Sequence, residues 1–155
     1  FSETVGNEAK LTAWFYHLGL LFDYRNPVPK SCELLQKFLS AKGYPQEKSK
    51  ALLKIILGIG NNQLPTTKPT QCLFDAINAC HFNENYFEKI PLLKLERELI
   101  LGQQVSKNDW AQFQLQHLLN ARFFTLFGKV NFEPILAQHI LTQKQLLEKD
   151  SKNFT

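Results

Sequence analysis

The sequence predicts an all-α domain of about seven helices, and three features carry the fold class. Apolar residues recur at intervals of three and four in successive segments, as one buried face of a helix requires. Leu, Lys, Gln and Glu are frequent and runs of β-branched residues are few, a balance that favours helix over strand. Pro and Gly mark boundaries, with Pro29 and Pro45 at starts and Gly43 and Gly102 at stops, where their backbone preferences fit.

The first helix is expected over Asn7–Leu20, with Leu11, Trp14, Phe15 and Leu18 on one face. Arg25 to Pro29 reads as a loop, and Pro29 suits the first turn of a helix over Ser31–Ala41 that aligns Leu34, Leu35, Phe38 and Leu39. Gly43 ends it. Pro45 opens a third helix through Leu52, Leu53, Ile55, Ile56 and Ile59, followed by a polar loop from Gly60 to Pro69. A fourth helix holds Cys72, Leu73, Ala76, Ile77 and Cys80. A fifth spans Tyr86–Leu101, with Pro91 in its first turn or at a later start. Ser106 and Asp109 form a capping-box pattern that opens a long helix to about Phe127. The last covers about Glu133–Lys149.

The chain has 155 residues, 44% of them hydrophobic, enough for one domain over residues 1–155 with one substantial core. Thirteen Phe are spread along it, which suits core contacts better than a surface patch. The net charge of +4 comes from dispersed Lys and Arg; it favours phosphate-bearing partners, but without a clustered stripe its ordinary reading is a solvated basic surface. Cys32, Cys72 and Cys80 make no CxxC pair, so reduced thiols are expected, with Cys72 and Cys80 as small buried hydrophobes and a cytoplasmic location. No apolar run approaches the roughly 20 residues of a membrane span, and no signal peptide opens the chain. Nucleic acid is not expected as a partner, because basic clusters and aromatics are not interleaved. The chain begins at Phe1 and has no Met, which reads as a piece of a longer product or as a chain missing residues.

Several motifs occur in a definite order. Ala13-Trp14-Phe15-Tyr16-His17-Leu18-Gly19 comes first, then Asp23-Tyr24, Asn26, Phe38-Leu39 and Lys42-Gly43-Tyr44-Pro45. Phe74-Asp75-Ala76-Ile77 follows, then Phe87-Glu88-Lys89, Leu93, Glu98-Leu99 and Leu101-Gly102. Trp110, Leu118, Asn120-Ala121-Arg122-Phe123-Phe124-Thr125, Gly128 and Glu133-Pro134 complete the series. Taken together, the chain resembles the small bacterial HD-domain proteins, helical metal-dependent phosphohydrolases. The resemblance implies an HD-like helical bundle, to which an N-terminal helix could be missing.

The departures fall on the residues that would carry chemistry. The family binds a divalent metal such as Mn, Fe, Ni or Mg through an early His, a His-Asp pair and a later Asp. Here the pair is Tyr16-His17, and no His precedes it. The family's DAD triplet keeps Asp75 but has Ile77, and the His of its NHRFFT motif is Ala121. A phenol and an imidazole supply no anionic oxygen to a hard cation. Asp75 and His17 make two ligands, too few to polarise a phosphoryl oxygen and acidify a water. The expectation is therefore a degenerate HD domain without catalytic residues or cofactor. Its vestigial metal positions are Tyr16, His17, Asp75 and Ile77, and it acts as a binding or interaction module.

Tyr16, His17, Asp75 and Arg122 form the candidate ligand pocket that the resemblance implies. Arg122 could hold a phosphate or carboxylate bidentately, or simply pair within the fold. A nucleotide or small phosphate, a partner domain and a second copy of the chain are the candidate partners; a membrane is not. The alternative is an active metal-dependent phosphohydrolase on a nucleotide or small phosphoester with a relocated site, using His17, Asp75 and either His81 or a His upstream of this sequence. The four His, with His117 and His139, form no HxxxH or HxH pair, so a zinc site would need distant helices. Gly58-Ile59-Gly60 lacks the GK[ST] of a phosphate loop and reads as a helix end.

Overall fold

A computed structural model describes residues 3–152, and within them the chain is helical, with seven α-helices, one short 3-10 turn and no strand. In order these are α1 (Glu3–Tyr16), the 3-10 turn Leu18–Leu21, α2 (Pro27–Ala41), α3 (Gln46–Gly60), α4 (Lys68–His81), α5 (Tyr86–Leu101), α6 (Lys107–Asn120) and α7 (Leu126–Lys152). Contacts divide the chain into two compact units, one ending at Phe74 and the other starting at Asp75. The boundary lies within α4.

The first unit is built on α1, α2 and α3. Leu35 and Leu39 of α2 and Leu52, Ile56 and Ile59 of α3 are buried together with Leu73. Each such side chain contributes about 1.5–3 kcal/mol relative to exposure. α1 ends at Tyr16 rather than at Leu20 because Ser31 claims its last turn. The buried Ser31 hydroxyl donates to the Tyr16 carbonyl at 2.8 Å and accepts from the Gly19 N–H at 2.9 Å. Gly19 is required there, since a Cβ would strike the Pro27 carbonyl and the Ser31 hydroxyl. α2 begins at Pro27, earlier than the Ser31 expected, with Asn26 before it and Pro in its first turn.

The apolar stripe assigned to α1 is also corrected. Trp14 is 82% exposed, whereas Thr12 is fully buried. Thr12 can be buried because its hydroxyl donates back to the carbonyls of Glu8 and Ala9, which satisfies it without an outside partner. α2 and α3 close as their sequences predict. Gly43 is left-handed (φ 65°), with Tyr44 N–H donating to the Leu39 carbonyl at 2.9 Å. Asn62 (φ 55°) repeats this after α3, with Gln63 N–H donating to the Gly58 carbonyl at 2.8 Å. Both follow the 6→1 pattern of a Schellman stop.

The second unit packs Phe82, Tyr86, Leu118, Ala121, Phe123 and Leu136 into one cluster. Gly102, at φ 67°, stops α5, and Pro91 lies inside that helix rather than in its first turn. Ser106 caps α6 by accepting from Asp109 N–H at 3.1 Å. The Asp109 carboxylate takes the Ser106 hydroxyl at 2.7 Å instead of reaching back to the backbone. α6 then stops at Asn120, short of the expected Phe127, and α7 starts at Leu126, well before Glu133. Residues 121–125 form the break between them.

Two other expectations change. Only Phe82 and Phe123 of the described Phe are buried, while Phe22, Phe38, Phe113 and Phe127 are exposed; Phe1 and Phe154 lie outside the described residues. Cys80 is exposed and Cys72 half-buried, so neither is the buried small hydrophobe expected. No helix among the described residues is long and apolar enough to cross a membrane.

Candidate functional site

Of the residues singled out in the sequence, Tyr16 and His17 belong to the first unit, and Asp75, Ile77 and Arg122 to the second. Tyr16 is the last residue of α1, and His17 leads into the 3-10 turn. Their rings meet edge to face with centroids 4.7 Å apart. Desolvation pushes the Tyr16 phenol above its ordinary range. It holds the His17 imidazole below its ordinary range, although that side chain keeps solvent exposure. Both shifts favour the neutral forms at neutral pH. The pair is a neutral aromatic contact at the point where Ser31 terminates α1.

Asp75 is buried on α4, and its carboxylate is fully engaged. Oδ1 accepts from Phe124 N–H at 2.7 Å. Oδ2 accepts from Thr125 N–H at 2.8 Å and from the Thr125 hydroxyl at 2.5 Å. Thr125 in turn caps α7, its hydroxyl accepting from Gly128 N–H at 3.0 Å. One turn further along α4, Asn78 Nδ2 donates to the Arg122 carbonyl at 2.7 Å. These bonds hold residues 122–125 in the break and stop α6 from running on. The buried carboxylate thus meets the partially positive start of α7, where an anion is stabilised.

Arg122 therefore sits in the break and not on a long helix. Its Nη1 donates to the Leu119 and Ala121 carbonyls at 2.6 and 2.7 Å. The cation is directed at the carbonyl end of α6, where it complements the helix dipole. Ile77 is half-buried on α4.

The remaining histidines have packing partners. His139 Nε2 lies 2.9 Å from the Asn83 carbonyl, and its ring stacks on Tyr86. His81 and His117 lie with ring centroids 6.2 Å apart beside Phe82. Among the described residues no group of three or more His, Cys, Asp or Glu is arranged to hold a metal ion.

The first unit carries a groove that reading the motifs did not find. It has a volume of about 460 Å³ and lies between α1, the C-terminal half of α3, the 61–67 segment and the start of α4. Ile55, Ile59 and Pro65 are its buried apolar wall, and Glu8 and Lys54 reach it from α1 and α3. The available signal was Leu64-Pro65, an apolar pair between the polar stretches Asn61-Asn62-Gln63 and Thr66-Thr67-Lys68.

Comparison with known proteins gives no match: no family model, no curated protein and no solved structure matches the chain.

Proposed function

We propose that this chain is a degenerate HD-type domain that serves as a binding or interaction module and has no working hydrolytic centre. The ordered motif series from Trp14 to Pro134 and the seven helices without a strand among the described residues support the HD-type part of this reading. The observation that carries the rest is Asp75. It is the acid that matches the resemblance, and both of its oxygens are spent on the backbone and hydroxyl that start α7. An acid holding a helix end in this way is a structural anchor. At the matching His-Asp positions, Tyr16 and His17 contribute a neutral ring pair. Trp14, Leu21 and Phe22, at the end of α1 and in the following turn, are large apolar side chains left exposed, which suits a module that meets partners.

The test is metal analysis of the purified protein after exposure to Mn²⁺, Ni²⁺ and Mg²⁺, with turnover assays on p-nitrophenyl phosphate and nucleoside monophosphates. Neither stoichiometric metal nor turnover is expected. Stoichiometric metal together with turnover that is lost in Asp75→Asn overturns the reading. A Tyr16→His, His17→Asp double substitution is expected to introduce Mn²⁺ binding; its failure to do so counts against the HD ancestry.

A further inference from the structure

We infer that the groove between α1, α3 and the 61–67 segment binds a small zwitterion with an apolar body, of the size of a short apolar peptide. The inference is independent of the HD reading and rests on the groove's shape and charges. Its volume of about 460 Å³ falls within the roughly 300–1,000 Å³ of small-molecule sites. Its wall is aliphatic, from Ile55, Ile59, Leu64 and Pro65. Leu64 stays 75% exposed although it lines the groove, so an apolar occupant would cover a side chain that the fold leaves in water.

The segment carrying Leu64 is fixed at both ends. Gln63 N–H is tied to the Gly58 carbonyl. On the far side, Thr67 and Thr70 exchange hydrogen bonds at the start of α4, their hydroxyls 3.0 Å apart and Thr70 Oγ1 donating to the Thr67 carbonyl at 2.7 Å. A wall ordered in advance loses little entropy when a ligand arrives.

The charges select the ligand class. Glu8 and Lys54 line the same groove from different helices, yet they form no ion pair with each other; the ion pairs among the described residues use Lys30, Lys37, Lys50 and Lys94. A simple anion would satisfy Lys54 but face the Glu8 carboxylate, and a simple cation would meet the reverse penalty. A polyphosphate finds one Lys and no Arg fork. An apolar molecule that carries both an ammonium and a carboxylate offers a partner to each group and covers the aliphatic wall they share the groove with.

The experiment is isothermal titration calorimetry on the full chain with L-leucyl-L-leucine, and with its N-acetylated and C-amidated forms. Saturable binding of the free dipeptide is expected, with each capped form weaker by about tenfold or more, the scale of one lost charge-assisted hydrogen bond. Lys54→Gln should remove the penalty for amidation and leave that for acetylation; Glu8→Gln should do the opposite. Circular dichroism establishes that both variants are folded. The inference is overturned if the dipeptide shows no saturable binding at millimolar concentration, if the capped forms bind as tightly, or if the two variants do not separate the two penalties. None of these readouts involves metal or phosphoester turnover, so its failure and that of the functional proposal are distinguishable.

Discussion

Asp75 Oδ2 receives two hydrogen bonds from the single residue Thr125, one from its backbone N–H at 2.8 Å and one from its hydroxyl at 2.5 Å. The same hydroxyl accepts from Gly128 N–H, so Asp75 and Thr125 together form a two-layer cap on α7. Helix caps ordinarily come from the residue just before the helix. Here the outer layer comes from α4, and it decides where α6 ends and α7 begins.

Removing that carboxylate should be costly. Asp75→Ala leaves Phe124 N–H and Thr125 N–H without their acceptor in a partly buried setting, and a loss of about 2–4 kcal/mol is expected. Asp75→Asn retains one acceptor oxygen and should lose about half as much. Urea denaturation followed by far-UV circular dichroism measures both; equal stability of wild type and Asp75→Ala would refute the anchoring role.

Gly128 lies in the first turn of α7, where Gly→Ala normally favours a helix by up to about 1 kcal/mol. The opposite sign is expected here, because a Cβ at Gly128 would land on the Asp75 carboxylate and against the Phe123 ring. Displacing a packed, hydrogen-bonded carboxylate should make Gly128→Ala destabilising by about 1–3 kcal/mol. The denaturation midpoint reports the sign directly.

In the first unit Ser31 links Tyr16 and Gly19 with a single buried hydroxyl. Ser31→Ala should cost about 1–3 kcal/mol, since it strands one donor and one acceptor. Hydrogen exchange should show the Gly19 amide losing protection in that variant.

Tyr86 gives a pH signature. Its hydroxyl donates to Gln114 Oε1 at 2.7 Å, and burial raises its pKa well above the ordinary range of a tyrosine. The folded state therefore favours the protonated phenol. That contribution is complete below about pH 10, the unfolded value, and is lost as the pH rises from there toward the folded value. Stability should fall through this alkaline window, and Tyr86→Phe, itself costing about 1 kcal/mol, should flatten the fall. Thermal denaturation between pH 8 and 11 tests it.

The helical architecture was legible because its signals are local. Apolar spacing, the left-handed stops at Gly43 and Gly102 and the Ser106–Asp109 cap all act within a few residues. The break at 121–125 was not legible, since nothing local forbids a helix through Asn120-Ala121-Arg122. It exists because Asp75 and Asn78, 44 to 50 positions away, take the backbone groups of residues 122–125. The inward face of α1 was misread for a related reason. Burying Thr12 in place of Trp14 depends on a hydroxyl that satisfies itself along the helix, which hydrophobic periodicity does not register. Motifs drew attention to Tyr16, His17, Asp75 and Arg122, whereas the groove at Glu8 and Lys54 comes from packing and has no consecutive signature.

The long sequence separation of the Asp75–Thr125 bond also sets an order of events as the second unit folds. Individual helices form in about a microsecond, but this tie must wait for a chain segment of 50 positions to close, and the entropy of closure is lost before the bond is gained. The start of α7 is therefore expected to be completed late in folding. Cutting the tie should accelerate unfolding far more than it slows refolding.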